Sequence, residues 1–243
     1  MMEQHSYTVL ENSCIARDVY RMLLGGPTEA FTAPGQFLDL RLDGFYLRRP
    51  ISLCDLQPVG PVIVYKVVGH GTAALAQIKT GAQLDALVGL GNGFDLTKGG
   101  DAPLLVGGGV GTPPLYYLAR RLREAGRQVQ VALGFQSAAD AFLCAEFRAL
   151  GCTLHVATAD GSLGQQGLVT DVLPPEAGYV YACGPLPMLR AVAAATACDG
   201  QYSFEERMGC GFGACMGCSC ETKNGPKRIC KEGPVLEKGE ILW

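Results

Sequence analysis

Apolar and polar positions change rhythm near residue 98 of the 243-residue chain. Before that point, Tyr7-Thr8-Val9-Leu10, Phe37-Leu38-Asp39-Leu40-Arg41-Leu42 and Val62-Ile63-Val64-Tyr65-Lys66-Val67-Val68 are short alternating or apolar runs separated by Gly and Pro turns. They predict strands and, together, a small antiparallel barrel. A short helix is expected over 73–79, where Ala73, Leu75, Ala76 and Ile78 fall on or near one face. Thr97-Lys98-Gly99-Gly100-Asp101 has the polar, glycine-rich character of a linker. After it, strands over 103–106, 128–133, 153–157 and 179–182 alternate with helices over 113–124, 138–150 and 187–198. That alternation predicts right-handed βαβ units and a parallel sheet covered on both faces. From about residue 200, glycines, cysteines and charges prevail with little periodicity, so this stretch is expected to need a bound group to fold. The fold class is α/β plus β in three segments, 1–98, 99–198 and 199–243.

Composition narrows the function. Hydrophobic residues make up 48% and charged residues 18%, which excludes a disordered solvating chain. A net charge of −3 gives no electrostatic footprint for nucleic acid or an anionic membrane. The first residues lack a basic stretch followed by an apolar run, and no segment approaches the ~18 apolar residues of a membrane span. A cytoplasmic protein with reduced thiols is the expectation. What stands out is 33 glycines and 11 cysteines. An odd cysteine count rules out a fully paired disulfide framework, and in a reducing compartment a cysteine cluster points to metal binding or redox chemistry.

Cys14, Cys54, Cys144, Cys152, Cys183 and Cys198 are scattered, whereas Cys210, Cys215, Cys218, Cys220 and Cys230 crowd together. Cys210, Cys215 and Cys218 have the spacing C-x₄-C-x₂-C, and Cys230 supplies a later fourth. This is the plant-type arrangement for a [2Fe–2S] cluster. Gly211, Gly213 and Gly217 allow the backbone to wrap closely around such a core. Structural zinc is the alternative, but it usually takes two separate C-x₂₋₄-C knuckles. Cys220 is assigned as a bystander beside the ligand Cys218, and the scattered cysteines as small buried hydrophobes.

Gly107-Gly108-Gly109-Val110-Gly111-Thr112-Pro113 follows a predicted strand and opens a predicted helix, the context in which a glycine loop receives a diphosphate. A plain tight turn is the bland alternative. Cys183-Gly184-Pro185 lies at the end of a later strand, where the carboxyl ends of a parallel sheet form a crevice. Arg49-Pro50-Ile51-Ser52 places a guanidinium and a hydroxyl beside a rigid proline. Arg49 can bind a diphosphate and Ser52 a flavin or phosphate oxygen, unless the segment is an edge strand with solvated arginines. His5, His70 and His155 are assigned no catalytic role.

In this order, the pieces resemble the ferredoxin-reductase superfamily. The run Ser203 to Cys218 with Cys230-Lys231-Glu232-Gly233-Pro234-Val235 is similar to the electron-transfer subunits of NAD-dependent (type B) dihydroorotate dehydrogenases. Gly89 to Phe94 looks like that family's barrel-closing segment. The resemblance implies an FAD-binding barrel over 1–98, an NAD-binding α/β domain over 99–198 and a [2Fe–2S] domain over 199–243. It implies FAD contacts at Arg49, Pro50, Ile51, Ser52, Val64, Tyr65, Lys66, Gly71 and Thr72. NAD is expected at Gly107, Gly108, Gly109, Gly111, Thr112, Cys183, Gly184 and Pro185, and the cluster at Cys210, Cys215, Cys218 and Cys230. NAD over NADP follows from the family, with weak support from the lack of arginine in Gly134-Phe135-Gln136-Ser137.

The implied activity is electron transfer from the FMN of a separate dihydroorotate-oxidising catalytic subunit, through the cluster and FAD, to NAD⁺ in pyrimidine biosynthesis. A heterotetramer with two copies of each subunit is implied as well. Related subunits of NADH-dependent ferredoxin:NADP⁺ oxidoreductases, sulfide dehydrogenases or hydrogenase diaphorase modules are the alternative. A cluster-based redox sensor without turnover is a reading from another class.

Overall fold

Alternation is clearest at Gln83–Leu90, where every second residue is buried and the others lean outward. This is how a barrel strand with one face on a core behaves. The computed structural model describes residues 2–243. Its first unit is a closed barrel of β1 (Glu3–Ala16), β2 (Val19–Gly25), β3 (Phe37–Leu40), β4 (Arg49–Gln57), β5 (Gly60–Lys66) and β6 (Gln83–Leu90). The strand order is β1-β2-β5-β4-β3-β6, and every pairing is antiparallel. The interior holds Met22, Leu24, Leu38, Leu40, Leu53 and Ile63, all fully buried. The short helix α1 (His70–Ala76) begins three residues earlier than periodicity suggests and buries Leu75 against this core.

The second unit contains β7 (Leu104–Gly108), α2 (Thr112–Glu124), β8 (Gln130–Phe135), α3 (Cys144–Ala149), β9 (Thr153–Thr158), β10 (Gln165–Gln166), β11 (Val180–Cys183), α4 (Leu186–Ala195) and β12 (Gly200–Ser203). These strands lie parallel in the order β10-β9-β8-β7-β11-β12. After the hairpin of β13 (Ser219–Thr222) and β14 (Gly225–Arg228), β15 (Val235–Glu237) returns and adds antiparallel to β12. Among the described residues no helix is long and apolar enough to cross a membrane.

Two expectations change. The helix expected over 138–150 is split into a single turn at Ala138–Asp140 and then α3. Between them Leu143 adopts φ +62°, a left-handed conformation that stops a helix. The break lets Phe142 pack edge-on against Phe135, with ring centroids 5.5 Å apart. The last segment also contributes to the main sheet. β12 lies beyond residue 198 yet is a buried strand, and Ile229, Leu236 and Ile241 are buried in the same hydrophobic cluster as Leu104 and Val106 of β7 and Val180 and Ala182 of β11.

Helix α2 joins the two units. Leu115, Leu118 and Leu122 pack into the core beneath the sheet, whereas Tyr117 belongs to the barrel core. Arg120 reaches across to β4, donating from Nε to Asp55 Oδ1 and from Nη2 to the Leu56 carbonyl, both at 2.8 Å. Asp55 keeps only 14% of its side-chain exposure, so screening by water is limited. Arg120→Ala is expected to cost about 1.5–3 kcal/mol, the usual range for hydrogen bonds to charged groups. A lower urea midpoint checks this, and an unchanged midpoint would show that apolar packing alone joins the units.

Candidate functional site

The glycine loop is held by close backbone contacts. β7 runs through Gly108 into a single turn, Gly109–Gly111, and α2 starts at Thr112. Gly109 has φ +51°, which suits glycine. A Cβ on Gly111 would stand 2.2 Å from the Cys183 carbonyl oxygen, and one on Gly108 would stand 2.3 Å from the Met188 sulfur. The loop is therefore wedged against the end of β11 and the start of α4.

A cavity of about 480 Å³ opens above it, at the carboxyl ends of the strands. Gly108, Gly109 and Pro185 line it, with Val110, Gln136 and Met188. Gly107 and Thr112 are buried beneath, where Gly107 leaves room for Leu133 and the Thr112 hydroxyl. Sequence reasoning missed Asp140 in this wall. It receives a 2.6 Å hydrogen bond from Ser137 and stands 3.8 Å from Lys66 and 3.7 Å from Arg17. These two cations come from the barrel, so Asp140 ties the units together beside the cavity.

A second cavity, of about 380 Å³, lies between the barrel and the sheet. Arg49, Pro50, Ile51, Ser52, Val64, Tyr65, Lys66 and Thr72 all line it. β4 aligns Ser52 with Phe37 and Arg49 with Leu40 of β3. Arg49 stacks over Phe45 at 4.7 Å. A Cβ on Gly71 would fall 1.9 Å from Arg49 Nε, so only glycine lets the guanidinium lie across the start of α1. Thr72 Oγ1 accepts backbone N–H bonds from Val68 and Gly69 at 2.9 and 3.2 Å. Cys183 lines this second cavity and not the first. Burial pushes its thiol well above the usual thiol range, followed in effect by the nearby Glu205 carboxylate. Ser203, Glu205, Glu206, Met208 and Pro234, none of them expected from sequence, complete the wall. Val110 and Lys66 border both cavities.

The cysteine loop lies beyond that wall. Gly211 and Gly213 have φ +75° and +90°, and a Cβ on Gly211 would stand 2.4 Å from Asp39 Oδ2. Asp39 on β3 is opposite Pro50, so one buried carboxyl touches the cysteine loop from the strand paired with the arginine-proline segment. Burial pushes this carboxyl up to about 7. Cys210 Sγ accepts the N–H groups of Ala214 and Cys215 at 3.1 and 3.4 Å. Burial raises the Cys210 thiol, but the backbone N–H groups of Cys215, Phe212 and Ala214 outweigh it and hold the group down to about 6. Burial pushes Cys230 up to about 12, with help from Cys218.

The cysteines neighbour one another as two pairs: Cys215 donates its N–H to Cys210 Sγ and Cys230 donates its N–H to Cys218 Sγ, both at 3.4 Å. Among the described residues, no three His, Cys, Asp or Glu side chains converge on a point suited to one metal ion. A two-iron, two-sulfide core takes two thiolates on each iron, and the pairing fits that donor set. Cys220 lies apart on β13, opposite Lys227. The segment after Cys230 is clamped to the barrel by Asn92, which donates to the Val235 carbonyl at 2.7 Å and accepts the Val235 N–H at 3.1 Å. None of the three histidines lines either cavity.

Known proteins share this arrangement. A family model described as the iron-sulfur cluster binding domain of dihydroorotate dehydrogenase B matches residues 205–242. A dihydroorotate dehydrogenase B (NAD(+)) electron transfer subunit from Shouchella clausii is 43% identical, covering 99% of this chain and 98% of that one. The Bacillus caldolyticus protein of the same description is 44% identical over the full length of both. Among solved structures, a chain of an NADH-dependent reduced ferredoxin-NADP oxidoreductase, studied for flavin-based electron bifurcation, superposes with TM-score 0.89. It is 30% identical, and the match covers 98% of this chain and 90% of that one. With cavities, paired thiols and full-length identity in agreement, the chain belongs to the family of electron transfer subunits of dihydroorotate dehydrogenase B.

Proposed function

We propose that this chain carries electrons from the FMN of a separate dihydroorotate dehydrogenase catalytic subunit to NAD⁺, using its own [2Fe–2S] cluster and FAD. One observation carries the reading: the flavin-suited cavity shares Val110 and Lys66 with the dinucleotide-suited cavity, and the strand flanking it touches the cysteine loop through Asp39. A flavin supplies the conversion between electrons delivered singly and a hydride delivered as a pair.

Each residue then has a physical task. Arg49, positioned across Gly71, binds the FAD diphosphate, and Ser52, Val64, Tyr65, Lys66 and Thr72 shape the rest of that cavity. Gly108, Gly109 and Pro185 receive the NAD⁺ diphosphate and nicotinamide end, with Gly107, Gly111, Thr112, Cys183 and Gly184 allowing the close approach. The pairs Cys210/Cys215 and Cys218/Cys230 each hold one iron. Phe212 and Met216, exposed on the same loop, present apolar surface to the catalytic subunit. Two copies of each subunit form the working cytoplasmic complex. In the nucleotide cavity the charged side chains are Lys66 and Asp140, a balance that gives no cationic cluster for a second phosphate and supports NAD over NADP.

Mixing the FAD- and cluster-loaded chain with an FMN-containing catalytic subunit is expected to give dihydroorotate-dependent NAD⁺ reduction. Coupling to ferredoxin instead would move the assignment to the ferredoxin:NADP⁺ oxidoreductase alternative. Gly71→Ala displaces Arg49 and is expected to weaken FAD binding roughly 10- to 100-fold, the equivalent of one lost charge-assisted contact. Fluorescence titration of the FAD-free chain reads this, and wild-type affinity would remove Arg49 from the diphosphate site. Cys218→Ser is expected to abolish the cluster's visible absorbance and its low-temperature EPR signal while FAD remains bound. Stoichiometric zinc in the wild-type chain, without acid-labile sulfide, would refute the cluster.

A further inference from the structure

The two cysteine pairs sit on separate pieces of chain, so the distance between them must be set by contacts outside either pair. Cys218 and Cys230 flank the hairpin of β13 and β14, whose register aligns Ser219 with Arg228. The Ile229 N–H donates to the Cys218 carbonyl at 3.1 Å, and both cysteines are buried. This pair is fixed by the hairpin. Cys210 and Cys215 lie on the other half of the loop, where Phe212, Ala214, Cys215 and Met216 are exposed. Residues 204–218 contain no helix or strand, so the hairpin's register does not reach them.

Arg228 joins the halves. Its Nη1 donates to the carbonyl of Gly213, between Cys210 and Cys215, at 2.6 Å. Its Nε donates to Glu232 Oε2 at 2.9 Å and its Nη2 to Glu232 Oε1, while the Arg228 N–H donates to Glu232 Oε2 at 2.8 Å. A guanidinium is planar, so holding Nε and Nη2 on one carboxylate sets the direction of Nη1. The backbone anchors this fork, because the N–H groups of Lys231 and Glu232 donate to the Arg228 carbonyl at 3.0 and 2.8 Å. Cys230 stands inside that closed turn. Burial raises the Cys230 thiol and the Gly213 N–H opposes that rise, so this N–H faces the sulfur while the Gly213 carbonyl faces Arg228. A Cβ on Gly213 would stand 2.6 Å from Lys231 Cδ, so the Lys231 stem packs against the same residue. An exposed ion pair is ordinarily worth little; this one uses both carboxylate oxygens and directs a further nitrogen to another segment.

We propose that Arg228, aimed by Glu232, is a positioning residue of the iron-sulfur site: it holds the Cys210/Cys215 half of the loop at a set distance from the Cys218/Cys230 half and so retains the bound centre. It also places a cation beside that centre, since Cys230 and Cys218 follow Glu232 among the groups that favour the charged guanidinium. This inference rests on the [2Fe–2S] reading of the four cysteines.

Three variants of the loaded full-length chain separate geometry from charge. Arg228→Gln and Glu232→Gln are each expected to keep FAD and to lose the centre's visible absorbance to an iron chelator about 10-fold faster, the lower end for one charge-assisted bond. Arg228→Lys keeps the cation, but a point charge cannot hold both Glu232 oxygens and the Gly213 carbonyl in one plane. It should therefore lose the centre as fast as Arg228→Gln. The midpoint potential, read by EPR during a redox titration, should divide the variants differently. A nearby cation favours the reduced, more negative centre, so Arg228→Gln should lower the potential, Arg228→Lys leave it near the wild-type value, and Glu232→Gln raise it. Wild-type chelation rates in any of the three would overturn the proposal, as would one common potential shift. Loss of FAD together with the centre would also overturn it, because the fork would then support the whole fold. A wild-type chain holding zinc without acid-labile sulfide would overturn the cluster reading itself, an outcome visible before any variant is made.

Discussion

A single helix sets the geometry on which both cavities depend. α2 begins at the glycine turn, buries Leu115, Leu118 and Leu122 under the parallel sheet, places Tyr117 in the barrel core, and grips β4 through Arg120. β4 carries Asp55 and Leu56, which receive Arg120, and also Arg49 to Ser52, which line the flavin-suited cavity. The loop that would take a dinucleotide and the strand that would take a flavin are thus ends of one mechanically continuous path. Packed interiors yield little to local strain, so the distance between the two ligands is fixed by the core rather than by loops.

The cysteine segment is secured by a second set of contacts. β15 adds to the edge of β12, Asn92 clamps the turn before it, and Gln201 on β12 donates to Glu237 and accepts the Asp95 N–H. These bonds cross between the barrel's end, the sheet's last strand and the returning tail. They carry Pro234 into the flavin-suited cavity and seat Gly211 against Asp39. A thiol group placed on a separate flexible tail would leave the path from iron to flavin unfixed. Here β15 of the tail is part of the sheet, and the cysteine loop and the β13–β14 hairpin lie between it and β12.

The sequence carried the chemistry more clearly than the boundaries. Cysteine spacing and glycine density survive without any knowledge of packing, because a cluster and a diphosphate each demand particular residue types close together in the chain. Helix α3 was obscured because the apolar spacing over 138–150 suits a helix, while the preference of Phe142 and Leu143 for the core forces a left-handed residue between two short helical pieces. β12 was obscured for the opposite reason. Gly200-Gln201-Tyr202-Ser203 has one large apolar residue, yet all four positions are buried. The Gln201 amide is satisfied by partners far away in sequence, Asp95 and Glu237. Asp140 and Glu205 were invisible for the same reason: an isolated acid has no pattern until the fold supplies its surroundings.

The shared border of the two cavities adds an electrostatic condition to the mechanical one. Two diphosphate ligands bring several negative charges close together, and opposite charges must lie nearby for both to leave water. Arg49 lines the flavin-suited cavity alone, whereas Lys66 borders both cavities. Asp140 stands within 4 Å of Lys66 and Arg17, so before a dinucleotide enters, these cations already have an anionic partner from the other unit. A diphosphate drawn to Lys66 would not leave Asp140 unpaired, because Arg17 and the Ser137 hydroxyl stand beside it as well. Charge would then be redistributed across the interface without stranding a buried ion.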